Sequence, residues 1–371
     1  MSSSSSFPLN FGLAHRLASA LLPAGPKADA ASKRRAVEEI RYAAAQAVDH
    51  VYSITGLEAA YRLQDSQVLV IDRQNWVKAN SQTFQILLAP LLEQAMGDRI
   101  QTLSPRNQQI LEWVGSAEIG AALGFLSTRV LGQYDPYAAL TSGGPAAGRL
   151  MLLAPNILQV EQELNLEPAG FRLWVALHEQ THRVQFAAAP WLADYIRGLI
   201  SDFGTQLAQG QDGLGERLSQ ALAATIQGMK EQKSPAQLAI SRQEAQQAAD
   251  LSPAQEQVLL KATAVMTLLE GHANVVMDSV DASIVPSVKT IRRRFEHRAQ
   301  TQGFLPRLMT SLLGMDAKAA QYKQGQAFVQ AVIDQVGMEA FNRVWESPQN
   351  LPSLQEIKNP DAWVKRVIEH A

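Results

Sequence analysis

The sequence contains no cysteine. Disulfide bonds, cysteine-based zinc knuckles and thiol catalysis are therefore excluded, and a reducing cytoplasm is the compartment that we predict. An excess of charge of either sign is also missing, because 33 Lys and Arg residues face 35 Asp and Glu residues. This balance argues against a general nucleic-acid-binding protein, which needs a basic surface. No uninterrupted apolar run approaches ~18 residues, the length that spans a bilayer, so we expect no membrane partner.

The composition that remains is typical of a globular protein. The chain has 371 residues, of which 46% are apolar and 18% charged. Such a chain can bury a substantial core in one large or two closely packed domains. Most of the sequence has helical spacing, and two short β-branched or apolar runs at 68–71 and 149–154 are predicted as strands. Gly120 and Gly124, four residues apart, predict a close approach of two helices.

Shifts in composition predict four segments. Residues 1–30 begin with a serine run and are predicted to be flexible. Residues 31–203 are predicted as an N-terminal lobe with a small sheet. The Gln- and Ala-rich stretch 204–257 has little large apolar content and is predicted as a helical insert or hinge. Residues 258–371 regain apolar content and are predicted as a helical C-terminal lobe.

The segment 178–182 reads His-Glu-Gln-Thr-His, which is an HExxH motif. On a helix, His178 and His182 lie one turn apart on the same face, and Glu179 is adjacent to the first of them. Two imidazole nitrogens suit a catalytic zinc ion, and the neighbouring carboxylate can act as a general base. We therefore predict His178 and His182 as zinc ligands and Glu179 as the catalytic residue.

The apolar pattern places both histidines on the buried side of their helix, which is predicted to run from Pro168 to about Ala188. A buried imidazole that lacks a partner costs several kcal/mol, and a shared metal ion would satisfy both rings. Two histidines at this spacing also occur on ordinary helix faces, so the motif alone leaves both interpretations open.

The third ligand cannot follow the metzincin pattern, in which a glycine and a ligand stand three and six residues after the second histidine. Gln185 and Ala188 occupy those positions. Residues 266–280 have helical spacing, and Glu270 follows an apolar stretch within them. Because a glutamate with such neighbours is poorly explained by solvent exposure, we predict Glu270 as the third ligand on this helix.

Other residues of the same helix remain candidates. His272 and Asp278 are alternative third ligands. Asn274 lies one turn after Glu270, where gluzincin-like sites often carry an aspartate that hydrogen-bonds a ligand histidine. We predict that Asn274 orients a ligand histidine without binding the metal itself.

A second donor to the reacting oxygen is expected from the C-terminal lobe. Tyr322, His297 and the cluster Arg292–Arg294, with Arg298, are available, and the sequence does not choose among them. The arginine cluster is either a solvated helix face or a site for an anionic substrate group. The strand at 149–154 is predicted as the edge that pairs with an extended substrate.

The sequence resembles a family of zincin-like bacterial proteins, described as zinc-dependent metalloproteases or as proteins associated with biosynthesis of the deazaflavin coenzyme F-420. The resemblance covers nearly the whole chain. It rests on Val70-Ile71-Asp72-Arg73 with Trp76-Val77-Lys78-Ala79-Asn80, Ala154-Pro155-Asn156, HEQTHRVQF at 178–186, LLEGHANVVMD at 268–278, QYKQGQAFV at 321–329, and Leu351-Pro352 with Trp363.

The resemblance implies a mainly α (α+β) zincin-like metallopeptidase fold, with a small sheet next to the HExxH helix, and a bound Zn²⁺ cofactor. Together with the motif, it predicts a gluzincin-like zinc hydrolase, a metallopeptidase whose partner is a peptide or small amide substrate. A catalytically weak or inactive zincin-fold scaffold and a small-amide hydrolase are the alternatives. Glu179 argues against the scaffold, because a structural metal site has no use for a base. No segment has the pattern of a deazaflavin site.

Overall fold

The computed structural model describes residues 9–209, 252–302 and 319–369. Within them the chain is mostly helical and contains one three-stranded sheet, so the predicted fold class is confirmed. The helices are α1 (Phe11–Leu21), α2 (Ala30–Thr55), α3 (Arg73–Gln101), α4 (Pro105–Ser127), α5 (Ala154–Glu163), α6 (Pro168–Ala188), α7 (Leu192–Gln209), α8 (Pro253–Ser279), α9 (Val288–Gln302), α10 (Ala319–Phe341), α11 (Leu354–Lys358) and α12 (Pro360–Val364). The strands are β1 (Gln67–Ile71), β2 (Gly132–Asp135) and β3 (Arg149–Leu153).

Helix α6 carries the HExxH motif and has the predicted bounds. It begins where Glu167 accepts hydrogen bonds from the backbone N–H groups of Ala169 and Gly170, with Pro168 at the first helical position. Both residues favour a helix start. The carboxylate accepts hydrogen bonds from first-turn N–H groups that have no partner within the helix, and the proline has no N–H group that would need one. The helix ends just before Pro190, which cannot continue it.

The sheet has the order β1-β3-β2, in which β1 pairs with β3 in parallel and β2 pairs with β3 antiparallel. Both predicted strands are confirmed, but the prediction that β3 is the sheet edge is wrong. The residues Leu150–Leu153 are fully buried, and a continuous apolar run of this kind is typical of a strand covered on both sides. The short strand β2, which the sequence pattern did not indicate, is an edge instead.

The N-terminal segment differs from the flexible stretch that we predicted for residues 1–30. Residues 11–21 form α1, which Asn10 caps, and Phe11, Ala14 and Ala18 are buried. Helix α1 packs on α4 at Gly120, where a Cβ atom would lie 2.6 Å from the carbonyl oxygen of Ala14. The close approach predicted from Gly120 and Gly124 is thereby confirmed. Most of the predicted insert, residues 210–251, lies outside the described residues, and the division into lobes stays a prediction.

Helix α4 is also the one helix within the described ranges whose length and composition would allow it to cross a membrane. A third of its most apolar window, 33%, is buried within the protein. It packs against α1 and α3. Core helices of water-soluble proteins also have this length and composition.

Polar side chains of α6 fix this helix in place. The Arg183 guanidinium donates to the carbonyl oxygens of Leu63 and Ser66, just before β1. Gln180 donates to the carbonyl oxygen of Ala44 on α2 at 2.7 Å. Both side chains are buried, so water does not compete for these three hydrogen bonds, and they hold α6 firmly in position.

Helices α8 and α10 cross so closely that their backbones are in contact. A Cβ atom on Gly271 would lie 2.4 Å from the carbonyl carbon of Gly325, and one on Gly325 would lie 2.2 Å from the carbonyl oxygen of Thr267. Only glycine permits this approach at both positions. The crossing is adjacent to Glu270 and therefore fixes where α8 presents that carboxylate.

Candidate metal centre

Three side chains converge where α6 faces α8. The Nε2 atoms of His178 and His182 lie 3.3 Å apart. The Glu270 carboxylate oxygens lie 3.9 Å from Nε2 of His178 and 3.6 Å from Nε2 of His182. Within the described residues, this is the one group of histidine and acidic side chains that could share a metal ion. The structure thus brings together the three ligands that we predicted.

The spacing of these donor atoms fits zinc. Zn–N and Zn–O bonds of about 2.0–2.2 Å at tetrahedral angles require ligand atoms about 3.3–3.6 Å apart. The two Nε2 atoms, 3.3 Å apart, meet this requirement. The two Glu270 oxygens, one 3.6 Å from His182 and the other 3.9 Å from His178, lie at its upper limit and slightly beyond it. The ligand set of two imidazoles and one carboxylate is that of catalytic zinc sites, in which a fourth position stays open. His178 and Glu270 are 28% and 26% exposed, so this position can be reached from solvent.

The electrostatics keep His178 ready to bind a metal ion. Burial lowers the pKa of His178 to about 4, and the neighbouring His182 lowers it further, while Glu270 opposes both effects. An imidazole must be neutral to donate its lone pair to a metal ion. At neutral pH, His178 therefore needs to lose no proton on binding.

Glu179 is buried beside the three converging side chains and is only 8% exposed. Burial raises the pKa of its carboxyl group to about 7; His182 lowers this value and Glu270 raises it. Among the described residues the Glu179 carboxylate makes no hydrogen bond and no ion pair. A buried carboxyl group without partners is costly in its charged form. A group with this pKa can both accept and release a proton near neutral pH.

Strand β2 creates the space that Glu179 occupies. A Cβ atom on Gly132 would lie 2.5 Å from Cγ and 2.6 Å from Cδ of Glu179. Any side chain at this position would collide with the carboxylate. The sequence did not indicate a role for Gly132, because the contact joins residues that are far apart in the chain.

His182 is held by Gln185, which lies one turn further along α6. Nδ1 of His182 is 2.9 Å from Oε1 of Gln185. The amide nitrogen of Gln185 donates to the carbonyl oxygen of Leu269 at 2.9 Å and lies 2.9 Å from Nδ1 of His272. In the sequence alone, Gln185 stands out only as a departure from the metzincin pattern.

The remaining candidates on α8 have other surroundings. His272 is fully buried, and burial lowers its pKa to about 3. Its Nδ1 atom faces Gln185 rather than the converging group. Asp278 is exposed and accepts a hydrogen bond from Gln326. Asn274 is half-buried, and no hydrogen bond joins its side chain to His178 or His182.

Two arginines of the cluster at 292–294 form hydrogen bonds to backbone carbonyl groups and thus stabilise the fold. Arg292 donates to the carbonyl oxygens of Met277 and Val280 at the end of α8. Arg294 donates to the carbonyl oxygens of Leu164 and Asn165, which follow α5. Cations at helix C-termini satisfy carbonyl groups that lack helical partners. Of the other candidates for the second oxygen donor, His297 is exposed on α9, and the side chain of Tyr322 lies outside the described part of the structure.

Comparisons with known proteins show the family of the chain and a similar fold. The chain is similar to a solved structure from Chloroflexus aurantiacus, provisionally described as a hydrolase with a novel fold, with a TM-score of 0.66 and 29% sequence identity. The match covers 96% of this chain and 98% of that one. The comparison with curated proteins gives no match. The family model of the zincin-like metallopeptidases matches residues 9–364. The chain therefore belongs to the zincin-like metallopeptidase family.

Proposed function

We propose that this protein is a zinc-dependent hydrolase of gluzincin-like type that cleaves a peptide or amide bond, with His178, His182 and Glu270 as the zinc ligands. The observation that carries the proposal is the placement of Glu179. A buried carboxylate without a hydrogen bond lies beside three converging ligand atoms. A purely structural metal site gains nothing from such a group, whereas hydrolysis needs a base at this place.

Zinc bound by these residues would polarise the scissile carbonyl group and lower the pKa of a coordinated water molecule toward ~7. The side chains have separate tasks. Glu179 accepts a proton at its carboxylate as the nucleophile forms, and it returns a proton to the leaving amine. Burial raises the pKa of this carboxyl group to about 7 in the zinc-free protein, and a bound zinc ion would oppose this effect, so the ionised group is available as a base near neutral pH. Gly132 keeps the space beside the carboxylate free of any other side chain.

The edge strand β2 is the segment that we propose to bind an extended substrate. It pairs with β3 on one side, and within the described residues no strand pairs with its other side. Extended peptides commonly add to such an edge by main-chain hydrogen bonds. A peptide held there would pass Gly132 and thus lie next to Glu179. This placement favours a peptide over a small amide.

The decisive variant is Glu179→Gln, which keeps the shape of the side chain and removes its basicity. We expect it to retain wild-type zinc content, measured by elemental analysis, and to lose cleavage of a peptide library, followed by mass spectrometry. Loss of a general base typically costs about 100- to 10,000-fold in rate. Glu346→Gln is the matched control, because Glu346 is 62% exposed on the surface. It should keep both zinc and activity.

The possible results separate the hypotheses. Full activity in Glu179→Gln would refute the assigned role of Glu179. A wild-type protein that binds zinc but cleaves neither the peptide library nor a panel of small amides would favour the scaffold. Cleavage of small amides alone would show that the substrate class is wrong while the chemistry is right.

A further inference from the structure

Gln185 connects the two helices that supply the proposed zinc ligands. It lies on α6 and contacts His182 on its own helix and Leu269 and His272 on α8. Leu269 is the neighbour of Glu270. We propose that Gln185 and His272 form a positioning pair that holds the His182 ring with Nδ1 protonated and Nε2 toward Glu270, and that sets the register of α6 against α8. The zinc part of this inference rests on the proposed function.

The surroundings leave only one orientation for the Gln185 amide. The carbonyl oxygen of Leu269 can only accept a hydrogen bond, so the group 2.9 Å from it must be the amide NH₂. The amide oxygen then faces Nδ1 of His182 at 2.9 Å and can only accept. His182 must therefore carry its proton on Nδ1. Its Nε2 atom keeps the lone pair that a metal ion requires.

The same reasoning assigns the proton of His272. The second N–H of the Gln185 amide points at Nδ1 of His272, which must accept it. The His272 ring is fully buried, stacks on Phe341 at 5.6 Å and meets Trp345 edge-on at 5.2 Å. These rings leave His272 little freedom to turn away. The ring is therefore a fixed acceptor that keeps Gln185 in its orientation.

Within the described residues, Nε2 of His272 is buried without a hydrogen-bond partner, but the pair satisfies the polar atoms of Gln185. Gln185 is fully buried and has a partner for its oxygen and for each amide hydrogen. Removing one member would leave the others unpaired in a dry environment, which is more costly than the loss of a single exposed hydrogen bond. His182 would then be free to rotate or to adopt its other neutral form.

The first test needs no metal. We would label histidines with ¹⁵N and record two-bond ¹H–¹⁵N correlation spectra of the zinc-free, full-length protein at mildly alkaline pH, with His182→Ala for assignment. Free histidine favours the Nε2-protonated form, so an Nδ1-protonated His182 would be diagnostic. We expect this form in the wild type and its loss in Gln185→Leu. An Nε2-protonated His182 in the wild type, or an unchanged spectrum in Gln185→Leu, would overturn the proposal.

Gln180→Leu is the matched control. Gln180 is a buried glutamine on the same helix, but it bonds to α2 through the carbonyl oxygen of Ala44. Both variants lose a buried amide, so a comparable loss of thermal stability is expected. Only Gln185→Leu should weaken zinc binding, by about 10- to 100-fold in competition with a chelator. Equal losses in the two variants would show that the effect is merely structural.

Two substitutions of His272 test its role in the positioning pair. His272→Asn keeps an acceptor oxygen near the place of Nδ1, whereas His272→Leu removes it. We expect the asparagine variant to retain Nδ1-protonated His182 and zinc affinity close to that of the wild type, and the leucine variant to lose both. Equal behaviour of the two variants would refute the role of His272. If the wild type bound no zinc at all, the proposed function would fail, while the spectra would still decide the positioning pair.

Discussion

The unusual environment of Glu179 makes a prediction about stability that needs neither substrate nor metal. In the zinc-free protein, burial raises the pKa of this carboxyl group from its ordinary value of 4.5 to about 7. Below pH 4.5 the group is protonated in both the folded and the unfolded state. Between pH 4.5 and 7 only the folded state keeps the proton. The free energy of unfolding therefore decreases as the pH rises through this range. Above pH 7 both states are ionised, and the folded state bears the cost of a buried charge.

The size of this effect follows from the pKa difference. Each unit corresponds to about 1.4 kcal/mol, so the full effect is about 3 kcal/mol, of which about 2 to 3 kcal/mol appears between pH 5 and 8. The glutamine in the Glu179→Gln variant cannot ionise, so the variant does not show this loss of stability with rising pH. The depressed pKa values of His178 and His272 act in both proteins and cancel in the comparison.

We would measure unfolding by urea at several pH values in the presence of a chelator. The free energy of unfolding of Glu179→Gln, minus that of the wild type, should increase by about 2 to 3 kcal/mol from pH 5 to pH 8. Val184→Ala is the control, because Val184 is fully buried on the same helix and does not titrate. Its difference from the wild type should not vary with pH. A flat difference for Glu179→Gln would refute the reasoning about its burial.

Three other changes test the packing around the site. Gly132→Ala places a Cβ atom 2.5 Å from Cγ of Glu179; it should reduce kcat about 100-fold at unchanged zinc content, and normal turnover would contradict the contact. Gly325→Ala forces α10 away from α8 and should cost about 1–3 kcal/mol in thermal unfolding and weaken zinc binding, whereas an unaltered Tm would argue against the close crossing. Arg172→Met leaves the buried carboxylate of Glu161 without its two hydrogen bonds. It should cost about 3–5 kcal/mol in urea unfolding, and Glu161→Gln in the same chain should recover part of the loss.

Local signals in the sequence were enough to predict the bounds of the helix that carries the HExxH motif. Pro168 marks its start, Pro190 stops it, and the apolar spacing turns both histidines inward. Glu270 could also be found, because an acidic residue surrounded by apolar neighbours on a buried helix needs a reason to be there. The meeting of these ligands depends on how α6 and α8 pack, and only the structure shows it.

Other features depend on contacts between distant residues and leave no local signal. Strand β2 is four residues long, and its alternation is too short to distinguish it from a loop. The role that we predicted for Asn274 came from analogy, whereas the hydrogen bond to His182 is made by Gln185. The partners of Gln185 on α8 are 84 and 87 positions away in the chain, so no spacing rule could indicate them. Cytoplasmic location and substrate class stay predictions.

The central claim is that one zinc ion is bound by His178, His182 and Glu270. An anomalous difference map from a crystal of the protein, recorded on both sides of the zinc absorption edge, tests it most directly. We predict one peak per chain, about 2.0–2.2 Å from Nε2 of each histidine and from a carboxylate oxygen of Glu270. A zinc-supplemented crystal with no peak there, or with Glu270 turned away and another side chain in its place, would contradict the account.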